Sequence, residues 1–507
     1  METLSNLYMG FQAASSGDAL LFCLIGVTVG TFVGVLPGVG ALAAISIALP
    51  LTFYLDPTAA LIMLSGIFYG AQYGGSTSSI LLNLPGTPTN AVTCLDGYPM
   101  TQQGKAGIAL FVTTIASFIG GSVAIILLIA FAPSLANFAI GFSSPEYFSI
   151  VVLGLVAAAT LSSGSPIKGL AMVVLGLILG LVGVDISWGQ FRFTFGFIQL
   201  SDGINLVAVA MGLFGFGAIL NSMGNGSPPQ IKQHISLRSM IPSRTELRMS
   251  WKPVIRGTTI GSMAGILPGT GPTIASFLAY AVEKKVARDP ARFGSGAIEG
   301  VVAPEAANNA AVQAGFIPTL TLGIPGDGVM AVLLGALMIH GISPGPQFIE
   351  SQPTMFWALV ASFWIGNVVL LILNLPLIGI WVRVLRIPYH LLYPAMLFFI
   401  CVGVYSVNNS TFDIFVTIGF GCLGYFMIVY NYPAAPLLLG FVLGPLIEEH
   451  LRRSLLYSRG NFAILFESPI SASMLIFALL IMLASTPFVS SGARRIFEWA
   501  TRRADGI

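Results

Sequence analysis

The apolar positions of this chain come in runs long enough to cross a bilayer. A spanning helix needs ~20 mostly apolar residues, and such runs fall at 106–133, 145–161, 167–185, 203–222, 354–383, 391–408, 411–430, 434–447 and 469–490. Four further apolar stretches, 18–55, 57–98, 254–282 and 305–341, are interrupted by Gly and Pro. They are expected to form Pro-Gly-broken helices or re-entrant hairpins. The pattern predicts an all-α polytopic membrane protein.

Composition sharpens this reading. Of 507 residues, 55% are hydrophobic and only 8% charged, with mean hydropathy +0.87, whereas soluble domains carry roughly 25% charged residues. Residues 1–17 hold no Lys or Arg and no small-residue cleavage site follows, so the first segment is expected to be retained. The net charge of +2 is spread over loops, which argues against a nucleic-acid partner. Cys23, Cys94, Cys401 and Cys422 lie in apolar sequence without metal-ligand spacing, and His234, His340, His390 and His450 are scattered. Neither a metal nor another bound cofactor is expected.

The breaks are written twice. GVLPGVG at Gly34 is echoed by GILPGTG at Gly265, and residues 26–44 share nine of nineteen positions with 257–275. A second echo pairs LNLPGTPTNAV from Leu82 with LGIPGDGVMAV from Leu322. The first pair is offset by 231 residues and the second by 240, a difference the charged insert VEKKVARDPARFG can absorb. Duplication is therefore expected, with a first repeat over 1–222, a basic cytoplasmic linker over 223–256, a second repeat over 257–456, and an extra C-terminal helix and tail over 457–507. Lys and Arg gather in cytoplasmic loops. A path that starts outside and inverts the second repeat puts eighteen of the 22 inside and leaves Arg192, Arg452, Arg453 and Arg459 outside. The 448–459 stretch is the exception to that rule.

Proline removes a backbone donor and glycine tolerates unusual dihedrals, so the pair ends a helix at depth. Backbone freed inside a membrane must be buried in protein or line a wet cavity. Paired interrupted helices in duplicated halves point to a secondary transporter with its site at the breaks. The first break is rich in hydroxyls and amides, and Ser76, Thr77, Ser78, Asn83, Pro85, Gly86, Thr87, Thr89 and Asn90, with Pro325 and Gly326 of the second, are the expected substrate-binding residues. Exposed helix N-termini there suit an anion. Asn308, Asn309, Thr319, Thr321 and Asp327 are the expected ion-coupling residues for Na⁺ or H⁺, Asp327 because an intramembrane carboxylate is costly. Pro37, Gly38, Pro268 and Gly269 are expected to be structural helix breaks. The plainer account is that Ser and Thr bond back to helix carbonyls or pack interfaces, that Glu305 starts a helix, and that the breaks merely kink packed helices.

GVLPGVG, YGGSTSSILLNLPGTPTNAVTCLDGYPM, GILPGTGPTIASFLAY and EGVVAPEAANNAAVQAGFIPTLTLGIPGDGVMAVLLGAL together resemble the large membrane subunit of the tripartite tricarboxylate transporters, the TctA family. The resemblance implies a permease of the bacterial inner membrane for tricarboxylates or related carboxylates. It also implies a periplasmic solute-binding protein and a small membrane subunit as partners, with an ion gradient as driving force. A carboxylate pore and an intramembrane enzyme are the alternatives. The Asp327 motif lacks the first glycine of the membrane aspartyl-protease signature, Ile324 standing in its place, and neither His-Glu-x-x-His nor a phosphate-binding loop occurs.

Overall fold

Backbone N–H and C=O groups find no water in hydrocarbon, so a spanning segment must bond to itself. The chain does so with helices almost throughout. The computed structural model describes residues 2–36, 39–161, 165–185, 189–222, 237–267, 270–385 and 389–485. In chain order the α-helices are α1 Glu2–Ala14, α2 Gly17–Val35, α3 Gly40–Thr52, α4 Pro57–Leu82, α5 Cys94–Gln102, α6 Ala106–Ile140, α7 Ser144–Leu161, α8 Pro166–Gly180, α9 Leu206–Ala210, α10 Gly217–Ser222, α11 Arg244–Ile266 and α12 Gly271–Val286. There follow α13 Glu299–Ala314, α14 Phe316–Leu322, α15 Gly328–Ile339, α16 Gln347–Ser351, α17 Pro353–Asn374, α18 Ile378–Val384, α19 Tyr389–Asn408, α20 Thr411–Val429, α21 Ala434–Tyr457, α22 Ile464–Glu467 and α23 Pro469–Ala484. Among the described residues, α2, α6, α17, α20 and α21 are long and apolar enough to cross a membrane. Shorter apolar helices, α15 and α23 among them, accompany these five.

Each interrupted stretch is divided where its glycines and prolines fall. The 18–55 run becomes α2 and α3, and 254–282 lies on α11 and α12; the breaks at Pro37, Gly38, Pro268 and Gly269 themselves lie outside the described residues. The 57–98 run becomes α4, a single 3₁₀ turn over Pro88–Ala91, and α5. The 305–341 run falls on α13, α14 and α15. Other boundaries shift for local reasons. Helix α11 begins at Arg244, inside the stretch read as linker. A capping box holds it there, the Ser243 hydroxyl accepting from the Glu246 N–H while Glu246 accepts from the Ser243 N–H. The 354–383 run is split after Asn374, just ahead of Pro376, which has no N–H to continue the ladder.

The chain divides into two compact units. The first combines Met1–Ile140 with Ile204–Tyr430, and the second Gly141–Gly203 with Asn431–Ile507. In the first, α2 lies against α4 and α11 against α13 along glycine ladders. A Cβ on Gly26, Gly30 or Gly34 would stand 2.3, 2.4 or 2.2 Å from the carbonyl oxygens of Met63, Ile67 and Ala71. A Cβ on Gly257, Gly261 or Gly265 would stand 2.2, 2.2 or 2.5 Å from those of Ala303, Ala307 and Ala311. Small residues let helix backbones touch in this way. The two ladders are in the registers of the sequence echoes, 231 residues apart on one side and 240 on the other.

In the second unit, α7, α8, α21 and α23 pack together. Gly183–Val184 and Phe191–Arg192 form a two-stranded antiparallel ribbon. The ribbon is tied to α21 by ions: Arg192 Nη1 lies 2.8 Å from Glu448, and Arg452 Nη2 lies 2.7 Å from both Asp185 and Glu448. The 448–459 stretch lies on α21, which runs on to Tyr457, and its Glu448, Glu449, Arg452 and Arg453 all have ion-pair partners within the unit.

Candidate functional site

The two second breaks end their helices alike. Asn83 closes α4 with φ 59° and Gly323 closes α14 with φ 70°. Both are left-handed caps, which Asn and Gly adopt at least cost. Beyond Asn83 the chain folds back beside α4. The close approach depends on Gly75, where a Cβ would meet the Asn90 side chain at 2.1 Å.

That approach assembles a buried polar network. Thr89 Oγ1 donates to Gln72 Oε1 at 2.6 Å and Thr87 Oγ1 reaches the same oxygen at 3.1 Å. The Asn90 amide donates to Ser76 Oγ at 3.2 Å and to Glu305 Oε1 at 3.0 Å. Ser76 Oγ donates to Glu305 Oε2 at 2.7 Å, and the Thr93 hydroxyl donates to Glu305 Oε1. Gln72, Ser76, Asn90 and Glu305 are at most 2% exposed. The first break motif thus converges on a carboxylate from the second half of the sequence, and among the described residues no Lys, Arg or His forms an ion pair with it.

Of the expected substrate-binding residues, Ser76, Thr87, Thr89 and Asn90 are therefore brought together. Thr77 is buried, and Ser78 donates to its own helix at Gly75 O. Asn83 and Pro85 are exposed and hold the turn, while Gly86 is buried inside it. Pro325 and Gly326 are buried between α14 and α15. Asn309 donates to Glu305 O, Thr319 to Gly315 O and Thr321 to Ile317 O, so these three bond back along their own helices. Asp327 caps α15, accepting the Met330 N–H at 2.8 Å. Asn308 differs: both polar atoms of its side chain are buried without a closed hydrogen bond, close beside the Glu305 carboxylate.

Glu305 does not start a helix. Glu299 opens α13, and Glu305 lies nearly two turns inside it. The rule that singled out Asp327, a carboxylate in apolar sequence, points equally to Glu305 in VVAPEAANNAA. Gln72 and Thr93 carry no such signal and are identified only by where they fold. Asp96 is also sealed in: its Oδ1 accepts the N–H groups of Gly294, Gly296 and Ala297 at 2.9, 2.8 and 2.8 Å, and its Oδ2 accepts the Tyr280 hydroxyl at 3.0 Å. This carboxylate clamps the loop after the charged insert onto α5.

Buried hydroxyls and amides gathered on a carboxylate at a helix break, in a helical polytopic chain, are the arrangement expected of a membrane transport protein. Residues 20–439 match the Tripartite tricarboxylate transporter TctA family, and the chain belongs to that family as a membrane transporter subunit. It is 49% identical over 498 residues, 98% of this chain and 99% of the relative, to the "Uncharacterized 52.8 kDa protein in TAR-I ttuC' 3'region" of Agrobacterium vitis. It is 53% identical over 238 residues, 47% of this chain and 98% of the relative, to the "Uncharacterized protein in TAR-II ttuC' 3'region" of the same organism. No solved structure matches the chain.

Proposed function

We propose that the chain is the permease subunit of a secondary transporter that imports tricarboxylates or related carboxylates across the bacterial inner membrane. It receives its substrate from a periplasmic solute-binding protein, works beside a small membrane subunit, and draws on an ion gradient rather than on chemistry of its own. The observation that carries this reading is the convergence of Ser76, Asn90 and Thr93 on Glu305 behind a left-handed helix break. Those neutral donors serve the Glu305 carboxylate, so the network sets one titratable group at the first break, as ion coupling requires. The matched glycine ladders support two repeats, and the distribution of Lys and Arg supports their inverted orientation. The coupling group is sought among Asn308, Asn309, Thr319, Thr321 and Asp327, with Glu305 added.

Reconstituted protein tests this, with radiolabelled citrate as first probe and a panel of carboxylates as competitors. Uptake is expected to need the cognate binding protein and an imposed Na⁺ or H⁺ gradient, and preloaded vesicles should show counterflow. Equal uptake without the binding protein would remove that dependence, and flux without counterflow would identify a pore.

A further inference from the structure

Glu305 presents a charge problem that its neighbours do not solve. Its side chain is fully buried, its hydrogen-bond partners Ser76, Asn90 and Thr93 are all neutral, and among the described residues no cation pairs with it. An isolated buried carboxylate costs far more than a neutral carboxyl. Helices packed against α13 bring other titratable groups without supplying a positive charge. Tyr73 of α4 and Cys94 of α5 are within electrostatic reach of Glu305. Asp96 of α5 is occupied by three backbone N–H groups and Tyr280 of α12. Arg256 of α11 is spent on Glu283 of α12. Helix α6 carries no titratable residue along its length.

A second observation points the same way. Asn308, one turn further along α13 and 1% exposed, leaves both its amide oxygen and its amide nitrogen without a closed hydrogen bond. A carboxylate accepts only, and the three donors already serve it. A protonated carboxyl adds one O–H that needs an acceptor, and the buried Asn308 amide beside it, closed by no hydrogen bond, can turn its oxygen to that O–H.

We propose that Glu305 is a proton-carrying group of this transporter, with the Asn308 amide oxygen accepting the carboxyl proton and Ser76, Asn90 and Thr93 holding the ionised form between protonations. The assignment rests on the permease reading for its purpose but not for its chemistry. Loading adds one proton to Glu305 and unloading returns it to water, so the site alternates between neutral and singly negative.

The test is infrared difference spectroscopy of the full chain in lipid, titrated with pH and compared with Glu305→Gln. The wild type should show a carboxyl C=O band that is lost on raising pH and is missing from Glu305→Gln. Asn308→Ala should move loss of the band to lower pH, because the carboxyl loses its acceptor while the carboxylate keeps its three donors. This variant leaves Glu305 in place, so the assignment stays testable if Glu305→Gln does not fold. Absence of a Glu305 band at every pH where the protein stays folded would overturn the proposal. So would a band displaced by NaCl but not by choline chloride at constant pH, which would assign the site to Na⁺. A wild-type protein that shows the band yet imports no carboxylate under any gradient would sink the permease reading and leave the proton site standing.

Discussion

The carbonyl oxygen of Gly34 would stand 1.8 Å from a Cβ on Gly86, whereas the matching oxygen of Gly265 would stand 3.7 Å from a Cβ on Gly326. The two glycines hold equivalent places in the two break motifs, yet only the first is closed. Gly75 tightens it further, its Cα 2.6 Å from the same hypothetical Cβ. Neither glycine has a positive φ, so the contrast is one of space.

Gly86→Ala should therefore fail structurally, because backbone cannot move aside as a flexible side chain does. Overpacking of this kind costs about 1–3 kcal/mol, and we expect a lowered thermal midpoint and reduced membrane levels. Gly326→Ala should reach the membrane normally, since its methyl makes ordinary contacts. Its half-saturating carboxylate concentration then reports whether the second break touches substrate. Equal stability of the two variants would contradict the packing.

Removing one donor from Glu305 should be felt throughout the network. Ser76→Ala takes away a hydroxyl that bonds a buried carboxylate at 2.7 Å, and an unsatisfied buried group costs about 1–3 kcal/mol. Thermal unfolding in lipid should show this loss, and Glu305→Gln should relieve it in the double variant because the neutral amide needs that donor less. Additive effects would mean the two side chains are not coupled.

Asp327 separates charge from capping. Its carboxylate caps α15 through the Met330 N–H, and Asn caps as well as Asp while Ala costs about 1 kcal/mol. Asp327→Ala should lower stability and Asp327→Asn should not. Loss of ion dependence in the Asn variant would then be an effect of charge alone; unchanged dependence leaves Asp327 with the cap as its role.

At the start of α11, burial works against the charge of Glu246. The Ser243 backbone N–H at 2.9 Å, the Ser243 hydroxyl at 2.8 Å and Lys105 at 3.4 Å outweigh it and hold the carboxyl below the ordinary glutamate range. A depressed folded-state value contributes stability above the unfolded-state value, and that stability is lost as pH falls through the folded one. The difference in thermal midpoint between wild type and Glu246→Ala should accordingly be largest near neutrality and shrink on acidification. A constant difference would show that the carboxylate does not carry the cap.

Ser239, exposed just ahead of α11, tests orientation. A cysteine placed there should be labelled only from the cytoplasmic side, and one near the N-terminus only from outside. Labelling of both from one side would remove the inverted arrangement.

Sequence alone determined the helical membrane class, because runs of apolar residues with almost no charge permit nothing else in water or lipid. It located the breaks after α4 and α14, since Pro lacks a donor and Asn and Gly tolerate left-handed caps, and the echoes at Gly34 and Gly265 marked the glycines that later prove to pack as ladders. It placed Ser76, Thr87, Thr89 and Asn90 in one motif because hydroxyls and amides cluster there. What faces them was decided by tertiary structure. Glu305 lies more than two hundred residues away, and only the packing of α13 beside α4 turns it toward Ser76 and Asn90. The same packing closes Gly86 and leaves Gly326 open, although the two motifs read alike, because contact between distant backbones depends on how the helices approach and not on the local sequence of either.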